Sequence, residues 1–99
     1  SLGSNLGEVG SNDKGYYWKL PNGLISQWGY IRSNHGAGHG TDYVQFPIRF
    51  PNKAIVGIGN VNNSTTGLHY NSGGVDNLTT IGMNISCDNP GAYWLAIGN

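Results

Sequence analysis

The sequence has few charges, a single cysteine and no long apolar run. Only 10% of its 99 residues are charged and the formal net charge is zero. This argues against nucleic acid or an anionic membrane as a partner, because both bind basic surfaces. No apolar stretch reaches the roughly 20 residues of a membrane-spanning helix, and there is no signal-peptide pattern. We therefore expect neither nucleic-acid binding nor membrane insertion.

The lone Cys87 has no partner for an intramolecular disulfide, so a small secreted domain stabilised by disulfides is excluded. Cys87 ends the alternating run Thr79–Cys87, and we predict that it is a small buried apolar group. A chain of this size has little stability to spare. Oligomerisation is one of the usual ways in which a small domain gains more.

What the sequence does contain is β-strand patterning around many glycines. Residues 15–30 read GYYWKLPNGLISQWGY, with two runs of aromatic and β-branched residues on either side of a Pro-Asn-Gly turn. Proline presets φ for the first corner of such a turn, and Asn-Gly tolerates the positive φ that follows. We predict a hairpin with arms Tyr16–Leu20 and Leu24–Ile31.

The second arm of this hairpin is apolar on both faces. Alternation places Leu24, Trp28 and Tyr30 on one face and Ile25 and Ile31 on the other. A strand with two apolar faces is usually covered on both sides. We predict that one face packs in the core of the domain and the other against a neighbouring subunit.

The rest of the chain contains further short strands and no helical periodicity. Alternation predicts that Ile81, Met83 and Ile85 point inward. Pro47 and Pro51 cannot donate to a ladder, which indicates an edge strand or one that bulges at Pro47. About six or seven short strands predict an all-β fold, a small antiparallel β-sandwich or barrel. Besides the hairpin arms, the predicted strands are Asp42–Phe50, Ala54–Val61, Leu68–Tyr70, Thr79–Cys87 and Ala92–Gly98.

The first 14 residues are polar and rich in Gly and Asn. We interpret residues 1–14 as a connector and residues 15–99 as the domain. Leu2, Leu6 and Val9 have helical spacing, but the intervening glycines disfavour a helix. Because the chain begins with Ser1 rather than Met, we expect a fragment or a processed chain.

Two histidines lie in a polar loop between predicted strands. His35 and His39 are four residues apart, with Asp42 close behind. On a helix that spacing suits a metal site, but the intervening Gly-Ala-Gly indicates a loop. We interpret the histidines as part of a polar surface loop, with contact to a ligand as the first alternative. A metal site, which symmetry in a trimer could create from three copies of a histidine, is the least favoured alternative, and we predict no bound metal or cofactor.

The sequence gives no sign of a catalytic centre. Its five carboxylates, Glu8, Asp13, Asp42, Asp76 and Asp88, show no arrangement that suggests the rigid shared cleft of a glycosidase. No Gly-x-Ser-x-Gly turn is present to hold a nucleophilic serine. We therefore predict that the protein is not an enzyme.

The aromatic residues allow two interpretations. Trp18, Trp28 and Trp94 lie within predicted strands, where packing in the core or an interface is the ordinary role. Exposed Tyr and Trp rings also stack on sugars, and a neutral surface rich in Asn, Gln, His and Tyr suits sugar hydroxyls. Carbohydrate binding is thus compatible with the sequence.

Three stretches of the sequence form a recognisable series: GYYWKLPNGLISQWG at residues 15–29, FPIRFPN at residues 46–52 and YWLAIG at residues 93–98. Together they resemble motifs of the C-terminal domain of bacteriophage and prophage tail-fibre proteins. Residues 15–29 resemble an opening Gly-x-x-x-Leu-Pro-x-Gly run that leads to Gln-Trp-Gly. Residues 46–52, FPIRFPN, are similar to a middle motif, and residues 93–98, YWLAIG, to a closing strand. Their order and spacing agree over Gly15–Gly98.

This resemblance implies a β-sandwich at the distal tip of a homotrimeric virion tail fibre, with residues 1–14 leading to an upstream fibre shaft. It implies an adhesin that attaches to the bacterial surface, through lipopolysaccharide, capsular sugar or an outer-membrane protein. A structural domain that trimerises or caps the fibre and an enzyme that trims polysaccharide are the alternatives.

Under the adhesin interpretation, the variable loops around residues 33–42 and 66–71 would hold the receptor contacts. We predict receptor contacts at Asn34, His35, His39, Asp42, His69, Tyr70 and Asn71, and core or interface packing at Trp18, Trp28, Phe46, Phe50 and Trp94.

Overall fold

The structure, a computed structural model, describes residues 6–34, 40–63, 74–87 and 90–99. Within these ranges there are eight strands and no helix, hence no helix long and apolar enough to cross a membrane. The strands are β1 (Glu8–Asn12), β2 (Gly15–Lys19), β3 (Ile25–Arg32), β4 (Gly40–Gln45), β5 (Ala54–Asn63), β6 (Val75–Asp76), β7 (Gly82–Cys87) and β8 (Pro90–Gly98).

These strands form two antiparallel sheets that enclose one core. The five-stranded sheet has the order β1-β2-β3-β8-β5, and the three-stranded sheet has the order β4-β7-β6. The predicted all-β, antiparallel architecture is confirmed. The predicted short strand at residues 68–70 lies outside the described residues.

The opening hairpin is confirmed as β2 and β3, which pair from Tyr16↔Trp28 to Lys19↔Ile25. In the turn, Gly23 has a φ of 93°, which suits glycine because it has no Cβ to clash. The Asn22 side-chain oxygen accepts a hydrogen bond from the Leu24 amide at 3.0 Å. Local turn chemistry therefore fixes the register of the hairpin.

Strand β1 lies in the stretch that the sequence analysis interpreted as a connector. It pairs with β2 from Glu8↔Lys19 to Asn12↔Gly15 and forms one edge of the larger sheet. Its apolar content is too low to show a strand by alternation, so this pairing could not be read from the sequence.

Strand β4 is an edge strand, as predicted, but it ends at Gln45 and not at Phe50. Pro47 has no amide hydrogen to continue a ladder. Two isolated backbone hydrogen bonds hold the segment that follows. The Phe46 amide donates to the Ile81 carbonyl and the Phe50 amide donates to the Thr80 carbonyl, both at 2.9 Å. The side chains of Phe46 and Phe50 are nevertheless both buried.

The prediction that Ile81 points inward is wrong, because its side chain is 53% exposed. Strand β7 begins one residue later, at Gly82. Thr79 Oγ1 accepts hydrogen bonds from the amides of Ile81 and Gly82 at 3.2 Å each. This turn breaks the alternation that the sequence suggested, whereas Met83, Ile85 and Cys87 are buried as predicted.

The core lies between the inner faces of the two sheets. Phe46 is its aromatic centre, with ring centroids 5.2 Å from Phe50 and 5.7 Å from Trp94. Two glycines of β5 face the three-stranded sheet: a Cβ on Gly57 would lie 2.5 Å from the sulfur of Met83, and one on Gly59 would overlap Ile85. The buried hydrophobic residues are Ile25, Val44, Phe46, Phe50, Met83, Ile85, Cys87, Ala92, Trp94 and Ala96.

Candidate functional site

The two polar loops singled out by the sequence leave the larger sheet at the same end. Strand β3 ends at Arg32 and β5 ends at Asn63, and both Arg32 and Asn62 are in register with Gly91 near the start of β8. Because neighbouring strands lie about 4.8 Å apart, the two strand ends are separated by about 10 Å. We call this end of the sandwich the loop end.

The chain enters the sheet at the opposite end. Glu8, the first residue of β1, is in register with Lys19, which pairs with Ile25, and Ile25 pairs with Gly98 at the far end of β8. The first strand therefore starts away from the loop end.

A buried carboxylate lies at the base of the first loop. The Asp42 side chain is only 3% exposed, and its Oδ1 accepts a hydrogen bond of 3.3 Å from the backbone amide of Asn34, itself an exposed residue. This contact joins the segment after β3 to β4. It links residues on the two sides of the first loop.

The other predicted receptor contacts lie outside the described residues, so their role stays a prediction. These predicted contacts are His35, His39, His69, Tyr70 and Asn71.

Within the described ranges no group of three His, Cys, Asp or Glu side chains is placed to hold a metal ion.

A cleft of about 350 Å³ opens between the two sheets beside the loop end. This volume is within the ~300–1,000 Å³ range of ligand pockets. Strands β3 and β4 line it with residues 30–32 and 43–45, Trp94 also lines it, and the β1–β2 turn adds Asp13 and Lys14, whose charged groups are 3.9 Å apart. The sequence analysis missed this cleft because its lining comes from four separate stretches of chain.

The predicted packing residues fall into two groups. Phe46, Phe50 and Trp94 are buried in the core. Trp18 and Trp28 instead lie on the side of the larger sheet that faces away from the core. There, Trp18 donates its indole N–H to the Leu6 carbonyl at 2.7 Å.

That side, which we call the outer face, is apolar across all five strands. Tyr16 stacks on Trp28 with ring centroids 6.0 Å apart, and Tyr30 contacts Tyr93 at 4.8 Å. Its large apolar or aromatic residues are Val9, Tyr16, Trp18, Trp28, Tyr30, Val56, Ile58, Tyr93, Leu95 and Ile97.

Two solved structures that share this architecture are fibre proteins. The chain is 25% identical to a C-terminal fragment of the R2 pyocin fibre of P. aeruginosa, with a TM-score of 0.73 over 93% of this chain and 25% of that one. An N-truncated R1-type pyocin tail fibre shares the fold at 23% identity, with a TM-score of 0.70 over 93% of this chain and 84% of that one.

The family assignment rests on most of the sequence. A family model described as the C-terminal domain of the putative tail fiber protein gp53-like matches residues 19–99. The chain belongs to this family of tail-fibre C-terminal domains. Such a domain lies in the virion, at the distal end of the tail fibre.

A further relative comes from an archaeon. An uncharacterised protein of Methanocaldococcus jannaschii is 31% identical over an alignment 104 residues long. The alignment covers 87% of this chain and 63% of that protein. The chain thus spans less than two thirds of that relative and a quarter of the R2 fibre fragment.

Proposed function

We propose that this tail-fibre domain is a non-enzymatic adhesin that recognises a receptor on the bacterial surface with its loop end. The observation that carries the proposal is the shared register of Arg32 and Asn62 with Gly91. It places the exits of both polar loops at one end, opposite the start of β1. A domain attached to a shaft through β1 would therefore present both loops away from the shaft.

The proposed receptor is a surface glycan, lipopolysaccharide or capsular polysaccharide. Asn, His and Tyr side chains both donate and accept hydrogen bonds, which suits sugar hydroxyls. Each loop contains three such residues: Asn34, His35 and His39 in one, and His69, Tyr70 and Asn71 in the other. An outer-membrane protein is the other candidate receptor. Three copies in one fibre would bind multivalently, so weak single contacts would add up to strong attachment.

In this arrangement Asp42 is a positioning residue. Its buried carboxylate accepts a hydrogen bond from the Asn34 amide. This bond would order the base of the loop that carries His35 and His39. The histidines themselves are the proposed receptor contacts.

The test is binding of the purified chain to an array of bacterial lipopolysaccharides and capsular polysaccharides. We expect saturable binding that His35→Ala with His39→Ala weakens by tenfold or more, which is about 1.4 kcal/mol, at an unchanged melting temperature. An equal loss of melting temperature would mean that the loop is structural. Release of reducing ends from the glycan would instead indicate an enzyme.

A structural role in assembling the fibre is the second candidate function, and the outer face is the observation that favours it. A domain with that role alone would assemble and yet bind neither glycan nor cells. The two roles are separable because the outer face and the loop end are different surfaces of the sandwich.

A further inference from the structure

The receptor recognition proposed for the loop end does not involve the outer face of the five-stranded sheet. We infer that this face is a subunit interface, on which the outer faces of further copies of this chain pack around a threefold axis. This inference rests on the proposed homotrimer and adds the surface that forms it.

Cross-strand register shows that the outer face is continuous. Three rows run across the sheet, and each alternates with buried inward positions such as Gln27 and Ala96. The first row is Val9, Trp18, Ser26, Ile97 and Val56; the second is Ser11, Tyr16, Trp28, Leu95 and Ile58; the third is Tyr30, Tyr93 and Asn60.

These rows leave large apolar side chains in contact with water. Ile58 is 53% exposed, Tyr93 56% and Val9 69%. The three rows hold five, five and three positions. With ~4.8 Å between strands and ~6.8 Å between rows, their footprint is roughly 400 Å². Monomeric proteins rarely expose a contiguous apolar patch larger than a few hundred Å². An occupant that removes this surface from water is therefore expected.

Charge indicates that the occupant is another copy of the same chain. Around a threefold axis each residue near the axis meets its own copies, so any charge there would face a like charge. The three rows contain no charged residue. The charged neighbours lie at the ends of the sheet: Glu8 pairs with Lys19 at 3.8 Å at one end, and Arg32 lies at the loop end.

The polarity of the face also fits a protein surface better than a sugar. Its middle row consists of Tyr16, Trp28, Leu95 and Ile58 with only Ser11 at one margin. Sugar hydroxyls need several hydrogen-bonding partners, and this row offers few. Aromatic residues with a polar tip, here Tyr16 and Tyr93, are typical of the centre of protein interfaces.

This interface would leave the receptor site free. The rows lie on one flat side of the sandwich, whereas both loops leave from its end. Assembly through the outer face would place three loop ends side by side and pointing the same way.

The chain offers a matched pair of substitutions for the test. Ile58 and Ile81 are both 53% exposed, but only Ile58 lies on the outer face. By sedimentation equilibrium we expect the wild-type chain and Ile81→Glu to have the mass of three chains. Ile58→Glu should have the mass of one chain and keep its β-sheet circular dichroism. Tyr93→Glu and Tyr43→Glu, at 56% and 51% exposure, form a second matched pair.

The outcomes separate the interface from the adhesin proposal. A monomeric wild-type chain, or an Ile58→Glu variant that stays trimeric, would overturn the interface whatever the glycan array shows. An Ile58→Glu variant that stays trimeric but loses cell binding would make the outer face a receptor surface and would also overturn it. If Ile58→Glu is insoluble, Ile58→Ser should still give a concentration-dependent fall in mass, and a constant trimer mass would contradict the inference.

Discussion

Gln27 and Ile48 exchange two hydrogen bonds of 3.0 Å: the Gln27 amide group donates to the Ile48 carbonyl, and its oxygen accepts from the Ile48 amide. Gln27 is fully buried in β3 of the larger sheet. Ile48 lies in the irregular segment after β4, where Pro47 interrupts the ladder. The Gln27 side chain thus supplies the hydrogen bonds that Ile48 would otherwise make in a continued ladder of the three-stranded sheet.

Replacement of this glutamine by leucine should destabilise the fold strongly. Gln27→Leu removes both bonds and leaves the amide and carbonyl of Ile48 unpaired, which we expect to lower the free energy of unfolding by roughly 2–4 kcal/mol. Urea denaturation would measure the loss. Gln45→Leu is the control, since Gln45 is exposed and should change stability by no more than about 0.5 kcal/mol. Equal effects in both variants would contradict this role for Gln27.

The close approach of the two sheets depends on glycine at position 59. A methyl group there would overlap the side chain of Ile85, which is itself fully buried. We expect Gly59→Ala to cost about 1–3 kcal/mol of unfolding free energy, as overpacking does. Combined with Ile85→Ala, the two losses should sum to more than the measured loss of the double variant, because the new methyl group fills part of the cavity. Strict additivity would show that the contact does not limit packing.

The tryptophans of the two faces should respond differently to truncation. Trp94 is 4% exposed and packs on Phe46, so Trp94→Ala should cost about 3–5 kcal/mol. Trp28 is half-buried on the outer face. Trp28→Ala should cost less than half as much in dilute protein but should weaken the rise of melting temperature with protein concentration. Similar losses and an unchanged concentration dependence would contradict the assignment of Trp28 to an interface.

Local chemistry made much of the fold predictable from the sequence. The Pro-Asn-Gly turn fixed the hairpin because its φ preferences are intrinsic to those residues. Alternation identified Met83 and Ile85 of β7 as inward side chains. Pro47 marked the edge of the smaller sheet, since a residue without an amide hydrogen cannot pair on both sides.

Features that depend on contacts between distant parts of the chain could not be predicted from the sequence. Strand β1 has little apolar pattern and forms because β2 offers an open edge. The exposure of Ile81 has a local cause instead: the Thr79 hydroxyl accepts hydrogen bonds from the amides of Ile81 and Gly82, and this turn interrupts the alternation. The cleft at the loop end joins Asp13 and Lys14 to β3 and β4, and no spacing in the sequence signals that. The candidate contacts in the loops were chosen by residue type alone.

Adsorption of the purified chain to bacteria tests the central claim, recognition of a surface receptor by this tail-fibre domain, most directly. A fluorescently labelled chain would be titrated onto a panel of strains, each with isogenic mutants that lack lipopolysaccharide O-chains or capsule. We predict saturable binding to at least one strain that is lost with one of these glycans and is competed by unlabelled chain. A correctly folded, trimeric chain that binds no strain, or whose binding is indifferent to both glycans and to removal of outer-membrane proteins, would contradict the account.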